Sequence, residues 1–341
     1  QFVEKSTRDY KGTAIIMDPD NGEIIALASF PDYDLNSFVG PIPIKKWKKL
    51  KSDKNKPFTN RATQLTYPPG SIFKLTLAAI ALEKKLINKN TKFECNGKYH
   101  FYDTVFKCWN SEGHGTMNLK DALKKSCNIY FYNLMQRIDF DDWYEETIKF
   151  GFGQLSQLDL PGGKKGIIPN REYMTNHYKN KGGWSEGHML NLSIGQGEIS
   201  VTPMQIIQLI NLIATNGNTF VPHLNLNMED EKIKKLNLNY KSSVWEFIKS
   251  AMYSAVNSNG GTAYNAKIDK NFGTVYGKTG TAQVCSNCDE EAHSWFAGYL
   301  ELKNGKRYSI CILIENGGKG SGKSTILAKK IFDYILGLDN V

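Results

Sequence analysis

The chain has 341 residues, is 40% hydrophobic and carries a formal net charge of +9. That length suits one large domain or two small ones with a sizeable core, and no internal repeat or low-complexity segment is evident. No apolar run reaches the roughly 18 residues of a helical membrane span, and no signal peptide is visible. The excess lysine is spread along the chain, with one dense run from Lys45 to Lys56. A solvated surface accounts for that run without nucleic acid as a partner. A basic face toward an anionic membrane or cell wall fits as well. The chain starts at Gln1, so it reads as a fragment whose anchor, if it has one, lies outside it.

Residues 1–10 read as a linker and 11–341 as one domain. Gly12 to Met17 and Glu23 to Ser29 are short apolar runs around Asp18-Pro19-Asp20-Asn21-Gly22, which predicts a β-hairpin. Residues 31–66 are polar and proline-punctuated, a surface excursion leading to Tyr67-Pro68-Pro69-Gly70-Ser71. A helix starting near Ser71 follows, apolar all round and therefore buried. Residues 90–117 have mixed polarity with no clear period. Helices are predicted over Leu119–Lys125, capped by Asn118, and over Asn128–Ile138. Residues 151–197 are glycine-rich. Thr202-Pro203 opens a helix that closes at Asn216-Gly217, and Val244–Asn257 is another. The last third reads as strands Phe272–Thr281, Ser294–Leu300 and Tyr308–Ile314, the latter two joined at Asn304-Gly305. A helix from Ser324 to Leu336 ends the chain. Two strands at the start, three at the end and helices between them predict an α+β fold. Its central antiparallel sheet brings the first and last strands together.

Ser71 and Lys74 would share one helix face, with Cβ atoms about 5–6 Å apart. A serine hydroxyl attacks only when a base takes its proton. Lysine becomes that base if its pKa falls about three units, which needs roughly 4 kcal/mol from its surroundings. Burial and a second cation supply such a shift. The bland alternative is a serine cap beside a surface lysine. Two further motifs follow in order: Ser126-x-Asn128 at a helix–helix junction and Lys278-Thr279-Gly280 on a strand. Each is weak alone, but the ordered set in these contexts is specific.

On these motifs the chain resembles the transpeptidase domain of class B penicillin-binding proteins, most closely the penicillin-binding protein 2 group of the elongation machinery. The resemblance extends to Gly151-Phe-Gly, Leu160-Pro-Gly, Ile194-Gly-Gln-Gly and Ser294-Trp-Phe-Ala-Gly298. It implies the fold shared by penicillin-binding proteins and serine β-lactamases, with the five-stranded sheet flanked by helices. It also implies D,D-transpeptidase activity on peptidoglycan stem peptides and inhibition by β-lactam antibiotics. Ser71 would be the nucleophile and Lys74 its base. Ser126 would relay a proton, Asn128 would bind the peptide amide, and Lys278 would hold Ser126. Thr279, Gly280 and Thr281 would receive the substrate, with the backbone N–H groups of Ser71 and Thr281 as oxyanion hole. A RodA-type polymerase and an MreC-type scaffold are the implied partners of the full-length protein. The periplasmic face of the inner membrane, with a single-pass anchor and a pedestal outside this chain, is the implied location. No catalytic cofactor is implied.

Two rivals share parts of this pattern. A serine β-lactamase needs a deacylating base, and Glu172-Tyr-Met-Thr-Asn176 is the one segment that resembles the class A glutamate motif. A nucleotide-binding ATPase is indicated by Gly317-Gly-Lys-Gly-Ser-Gly-Lys-Ser324, which matches a P-loop between a strand and a helix. Only 17 residues follow Ser324, too few for the further units a P-loop fold needs. A glycine turn into the last helix is the plainer reading.

Among the six cysteines, Cys311 reads as core, and Cys285-Ser-Asn-Cys288 as a small disulfide or a metal site. Cys95, Cys108, His114 and Cys127 fall within 33 residues around the Ser-x-Asn motif. Three thiolates and an imidazole suit a tetrahedral structural zinc. The spacing is not that of a zinc finger, and a disulfide or separate buried thiols are the alternatives. The resemblance adds that some relatives hold zinc in this region, with carboxylates among the ligands.

Overall fold

A computed structural model describes residues 1–227, 233–284 and 290–338. The expected first hairpin forms: β1 (Gly12–Met17) pairs antiparallel with β2 (Ile24–Phe30). From the other end of the chain, β9 (Gly273–Ala282), β10 (His293–Leu302) and β11 (Arg307–Ile314) complete a five-stranded antiparallel sheet in the order β2-β1-β11-β10-β9. Gly12 lies opposite Ile314, so the chain's first and last strands do meet.

Each strand has a period of two and a buried sheet has two faces. Ile15, Met17, Trp295, Ala297, Cys311 and Leu313 go to one core, and Ala14, Ile16, Phe296, Ile310 and Ile312 to the other. The first core holds α3 (Lys74–Glu83), α9 (Pro203–Ala214) and most of α10 (Ser242–Asn257). The second holds α11 (Lys323–Ile335). Helix α9 starts as its sequence predicts: Thr202 and Gln205 form a reciprocal capping box, with proline at the first position.

Several expectations need correction. Residues 2–6 carry an element not foreseen, a short helix α1 (Phe2–Ser6), in which the Phe2 ring stacks on that of Tyr334 at 4.1 Å. The excursion at 31–66 holds a helix, α2 (Ile44–Lys51), on which Ile44, Trp47 and Leu50 recur at helical spacing. Residues 90–117 form two small hairpin-like sheets. In one, β3 (Lys92–Cys95) pairs with β6 (Gly115–Asn118). In the other, β4 (Lys98–Phe101) pairs with β5 (Thr104–Lys107). Four-residue strands are too short to show a period in sequence. Helices α4 (Leu119–Lys124) and α5 (Asn128–Met135) follow as expected, with Asn118 capping the first. Three further helices went unread: α6 (Phe140–Ile148), α7 (Arg171–Tyr178) and α8 (Glu186–Ser193). A small two-stranded sheet pairs β7 (Asn218–Phe220) with β8 (Lys235–Asn237).

The P-loop-like sequence has a different explanation. Strand β11 is antiparallel to both neighbours, whereas a P-loop leaves a strand of a parallel sheet. The Gly320 N–H donates to Thr281 Oγ1 at 3.0 Å. A Cβ on Gly320 would lie 2.2 Å from the Gly280 carbonyl oxygen. The glycines let this loop lie against β9.

Candidate active site and adjoining cysteine–histidine cluster

The helix expected from Ser71 begins three residues later. Ser71 stands in a single 3-10 turn, Gly70–Ile72, and Lys74 opens α3. The offset has a tertiary cause. Gly70 has φ +55°, donates its N–H to Gly195 at 3.0 Å, and has no room for a side chain, since a Cβ would lie 2.7 Å from the Thr281 carbonyl oxygen. A Cβ on Gly195 would in turn lie 2.3 Å from the Gly70 oxygen. Three backbone segments far apart in sequence therefore meet at van der Waals distance, and this sets Ser71 beside the Thr281 end of β9. Trp295 Nε1 donates to the Pro68 oxygen at 3.1 Å and fixes the turn from below.

Lys74 is fully buried. Its Nζ donates to Asn128 Oδ1 at 2.7 Å and to the Ser126 carbonyl at 2.8 Å, with Ser126 Oγ at 3.4 Å. Lys278, also fully buried, donates to the same Ser126 Oγ at 2.9 Å and to the Thr279 carbonyl at 2.9 Å. The Ser126 hydroxyl is thus shared between two lysines from motifs 204 positions apart. Ser126 has φ +55°, uncommon for a residue with a side chain. It follows α4 and precedes α5, so the chain must turn sharply there. Among the described residues, Ser71 Oγ makes no hydrogen bond to this set.

Burial pulls the Lys74 amine down to about 8, against the thiol groups of Cys127, Cys108 and Cys95, which favour its charge. Lys278 is pushed well below its ordinary value, first by burial and then by the charge of Lys74. Both effects are those expected of two buried cations sharing one pocket.

On β9, Thr279 Oγ1 donates to Thr262 Oγ1 at 3.0 Å, a contact that nothing in the sequence announced. Thr281 accepts from the Gly320 N–H, which leaves its hydroxyl proton free for a ligand. Gly280 admits no side chain: a Cβ would meet the Pro69 oxygen at 2.9 Å and Trp295 at 3.0 Å. Gln196 Nε2 reaches the Thr281 carbonyl at 3.4 Å. Its motif was visible, but its contact is tertiary. Glu172, the candidate deacylating base, is exposed on α7 and makes no hydrogen bond to this set among the described residues.

Behind Ser126 and Asn128 lies the cysteine–histidine cluster. Cys95 ends β3, Cys108 follows β5, His114 precedes β6 and Cys127 precedes α5. Their donor atoms all lie within 4.8 Å of one another. His114 Nδ1 is 3.5 Å from both Cys95 Sγ and Cys108 Sγ, and its Nε2 is buried without a partner. Tetrahedral zinc with bonds of about 2.3 Å to sulfur and 2.0–2.1 Å to nitrogen requires S···N edges of about 3.6 Å. The donor set suits that ion, and the two S···N distances match such edges. Cys108 is held well below the ordinary thiol range, chiefly by a hydrogen bond from Cys127, which is pushed up by the same bond. The bond thus favours the thiolate form at Cys108. The Asn128 N–H donates to Cys108 Sγ at 3.4 Å, so the cluster touches the Ser-x-Asn motif directly. Cys311 is buried in the sheet as expected. Cys285 and Cys288 lie outside the described residues.

Comparison with known proteins agrees with this geometry. The chain is 31% identical to the peptidoglycan D,D-transpeptidase MrdA of Haemophilus influenzae over 98% of its length, and covers 54% of that protein. The PBP2 of Helicobacter pylori, solved in complex with MreC, superposes with a TM-score of 0.87 at 31% identity, over 98% of this chain and 62% of that one. Pseudomonas aeruginosa PBP2, solved in complex with WCK 5153, gives 0.88 at 28% identity, over 98% and 76%. The chain therefore spans about half the length of the curated relative. The family model of the penicillin-binding protein transpeptidase domain matches residues 12–335. With that match over nearly its whole length, the chain belongs to the penicillin-binding protein transpeptidase domain family.

Proposed function

We propose that this chain is the catalytic domain of a peptidoglycan D,D-transpeptidase of the elongation type, acting through a serine acyl-enzyme and blocked covalently by β-lactams. The observation that carries the reading is the single hydrogen-bonded set in which Lys74, Ser126, Asn128 and Lys278 converge from three separate motifs.

Ser71 Oγ attacks the carbonyl of the penultimate D-alanine, and Lys74, neutral in part near pH 8, takes its proton. The Ser71 and Thr281 N–H groups receive the oxyanion, each such donor being worth roughly 2.7–4 kcal/mol. Ser126, poised between the two lysines, passes a proton to the leaving D-alanine. Asn128 holds the stem-peptide amide, and Thr281, with Thr279, receives its terminal carboxylate. An amine from a second stem peptide then attacks the acyl-enzyme, forming the cross-link and releasing Ser71. A β-lactam follows the same path as far as the acyl-enzyme. The exposure of Glu172 gives no base for rapid hydrolysis.

Cys95, Cys108, His114 and Cys127 would hold a structural zinc ion. When bound, it ties residues 92–118 to the loop carrying Ser126 and Asn128. Residues 11–341 form the transpeptidase domain and residues 1–10 its junction with a preceding pedestal. The whole protein sits at the periplasmic face of the inner membrane and works with a RodA-type polymerase and an MreC-type scaffold. The complex of Helicobacter pylori PBP2 with MreC supports the latter. Incubation with a labelled penicillin, followed by peptide mass spectrometry, tests the reading. One long-lived adduct is expected on the Ser71 peptide. Rapid multiple turnover of nitrocefin would make the protein a β-lactamase instead.

A further inference from the structure

Helix α2 buries none of its eight residues. Eight residues are too few for a helix to stand alone in water. Five of them are lysines, and pairs such as Lys45–Lys49 repel across one turn. All seven lysines between Lys45 and Lys56 are exposed, with Asp53 the sole acid among them. Among the described residues, none of the seven forms an ion pair.

What α2 does touch is a small aromatic cluster. Trp47, Phe38, Phe58 and Tyr33 pack with ring centroids 4.8–6.4 Å apart, outside both cores of the domain. Leu35, Val39 and Ile44 beside it are 70%, 82% and 73% exposed. Unneutralised cations and uncovered apolar surface therefore share one excursion.

Its place in the fold indicates what covers it. Ser29 donates to the Thr59 carbonyl at 3.0 Å, and buried Arg61 pairs with Glu315 at 2.9 Å. Both ties fix the excursion to the end of the sheet where Phe30, Gly12, Ile314, Ser294 and Thr281 stand in one row across the strands. Four inter-strand steps of about 4.8 Å separate Phe30 from Thr281, about 19 Å in all. A polymer only about six extended residues long bridges that distance.

We propose that this excursion is a docking platform for the acidic glycan–peptide polymer on which the site acts. Its lysines meet the free carboxylates of the stem peptides, and its aromatic edges and aliphatic side chains meet sugar faces. This rests on the transpeptidase reading and adds to it a second contact with the same strand, away from the reacting carbonyl. The shared sheet end favours the polymer over a lipid surface, which the same lysines would also attract.

The test is co-sedimentation of the purified chain with peptidoglycan sacculi, beside a variant combining Lys45→Gln, Lys46→Gln, Lys48→Gln and Lys49→Gln. A parallel arm uses phosphatidylglycerol-containing vesicles. Between 0.01 M and 0.15 M salt the screening length falls from about 30 Å to about 8 Å, so wild-type binding to sacculi is expected to weaken at least tenfold. The variant is expected to bind sacculi at least fivefold more weakly at low salt, with its penicillin acylation rate within twofold of wild type. Salt-insensitive wild-type binding would overturn the proposal, and that arm needs no variant to fold. Undiminished sacculus binding by an acylating variant overturns it as well, as does wild-type binding to vesicles but not to sacculi. Absence of penicillin acylation in both proteins would instead sink the transpeptidase reading, whereas lysine-dependent binding to sacculi would stand.

Discussion

The two halves of the candidate site differ in how deeply they are buried. Ser71 stands in the turn leading into α3, Lys74 opens that helix, whose first eight residues are buried, and Lys278 lies on a ten-residue strand of the central sheet. Ser126 and Asn128 are backed by a module of four-residue strands, most of whose residues are not buried. The first half is fixed by hydrophobic packing. The second lays Phe93, Tyr99, Phe101 and Phe106 against the edge of that core, and its Cys and His side chains converge behind the Ser-x-Asn motif. Isolated two-stranded ribbons of this length are marginal in water, so a metal held at the cluster would add to the module what its thin apolar packing lacks. The two halves should therefore fail under different insults.

The largest expected effect falls on the packed half. Ser71→Ala removes the nucleophile without disturbing the core, so all penicillin label should disappear while melting stays cooperative. Label persisting in that variant would break the assignment of Ser71. Next comes the module. Stripping metal with a chelator, or Cys127→Ser, should lower acylation by about 10–100-fold, as for other losses of metal-site support. Metal analysis should show close to one zinc per chain before treatment. Hydrogen exchange should speed up in residues 92–128 and stay slow in β1, β10 and β11. Uniform loosening of the whole domain would erase the contrast between the halves.

A third effect concerns the junction of the halves at Lys74. Its amine is pulled down to about 8 by burial, so below that pH it is mostly protonated and cannot accept the serine proton. Acylation should rise about tenfold per pH unit up to about pH 8 and level off above it. A flat profile between pH 6 and 9 would remove Lys74 as base. The smallest effect is again in the packed half. Gly320→Ala must push the loop away from Gly280, and overpacking of this kind costs about 1–3 kcal/mol. Chemical denaturation should show that loss with the zinc content unchanged.

How much was legible in advance follows the same division. Ser71, Lys74, Ser126, Asn128 and Lys278 were readable because each motif sits beside strong local punctuation: Pro68-Pro69-Gly70, the Asn118 cap and the β9 apolar run. The position of Ser71 in a 3-10 turn was not readable, because Gly195 and Thr281 cause it from far away in sequence. Helix α6 was legible in principle. Asp139 caps it, Asp141 and Asp142 follow in its first turn, and Trp143 lies on its buried side. Helix α2 was obscured by its own lysines, which hide the spacing of Ile44, Trp47 and Leu50. The four small strands between Lys92 and Asn118 carried too few residues for any period. What pointed to that segment was the gathering of three cysteines and a histidine around the Ser-x-Asn motif, a chemical signal rather than a conformational one.

The glycine contact beneath β9 bears on how this protein can change under selection. A Cβ on Gly280 would meet Pro69, one on Gly320 would meet Gly280, and one on Gly298 would lie 2.2 Å from the Tyr276 oxygen. The back of the reactive strand thus has no spare volume for a new side chain. Drug-tolerant variants raised under β-lactam pressure should leave these three positions untouched and accumulate at 102–105, where side chains already face solvent. Sequencing such a population reads that latitude directly, and frequent substitution at Gly280 or Gly320 would show that the strand has freedom its packing denies.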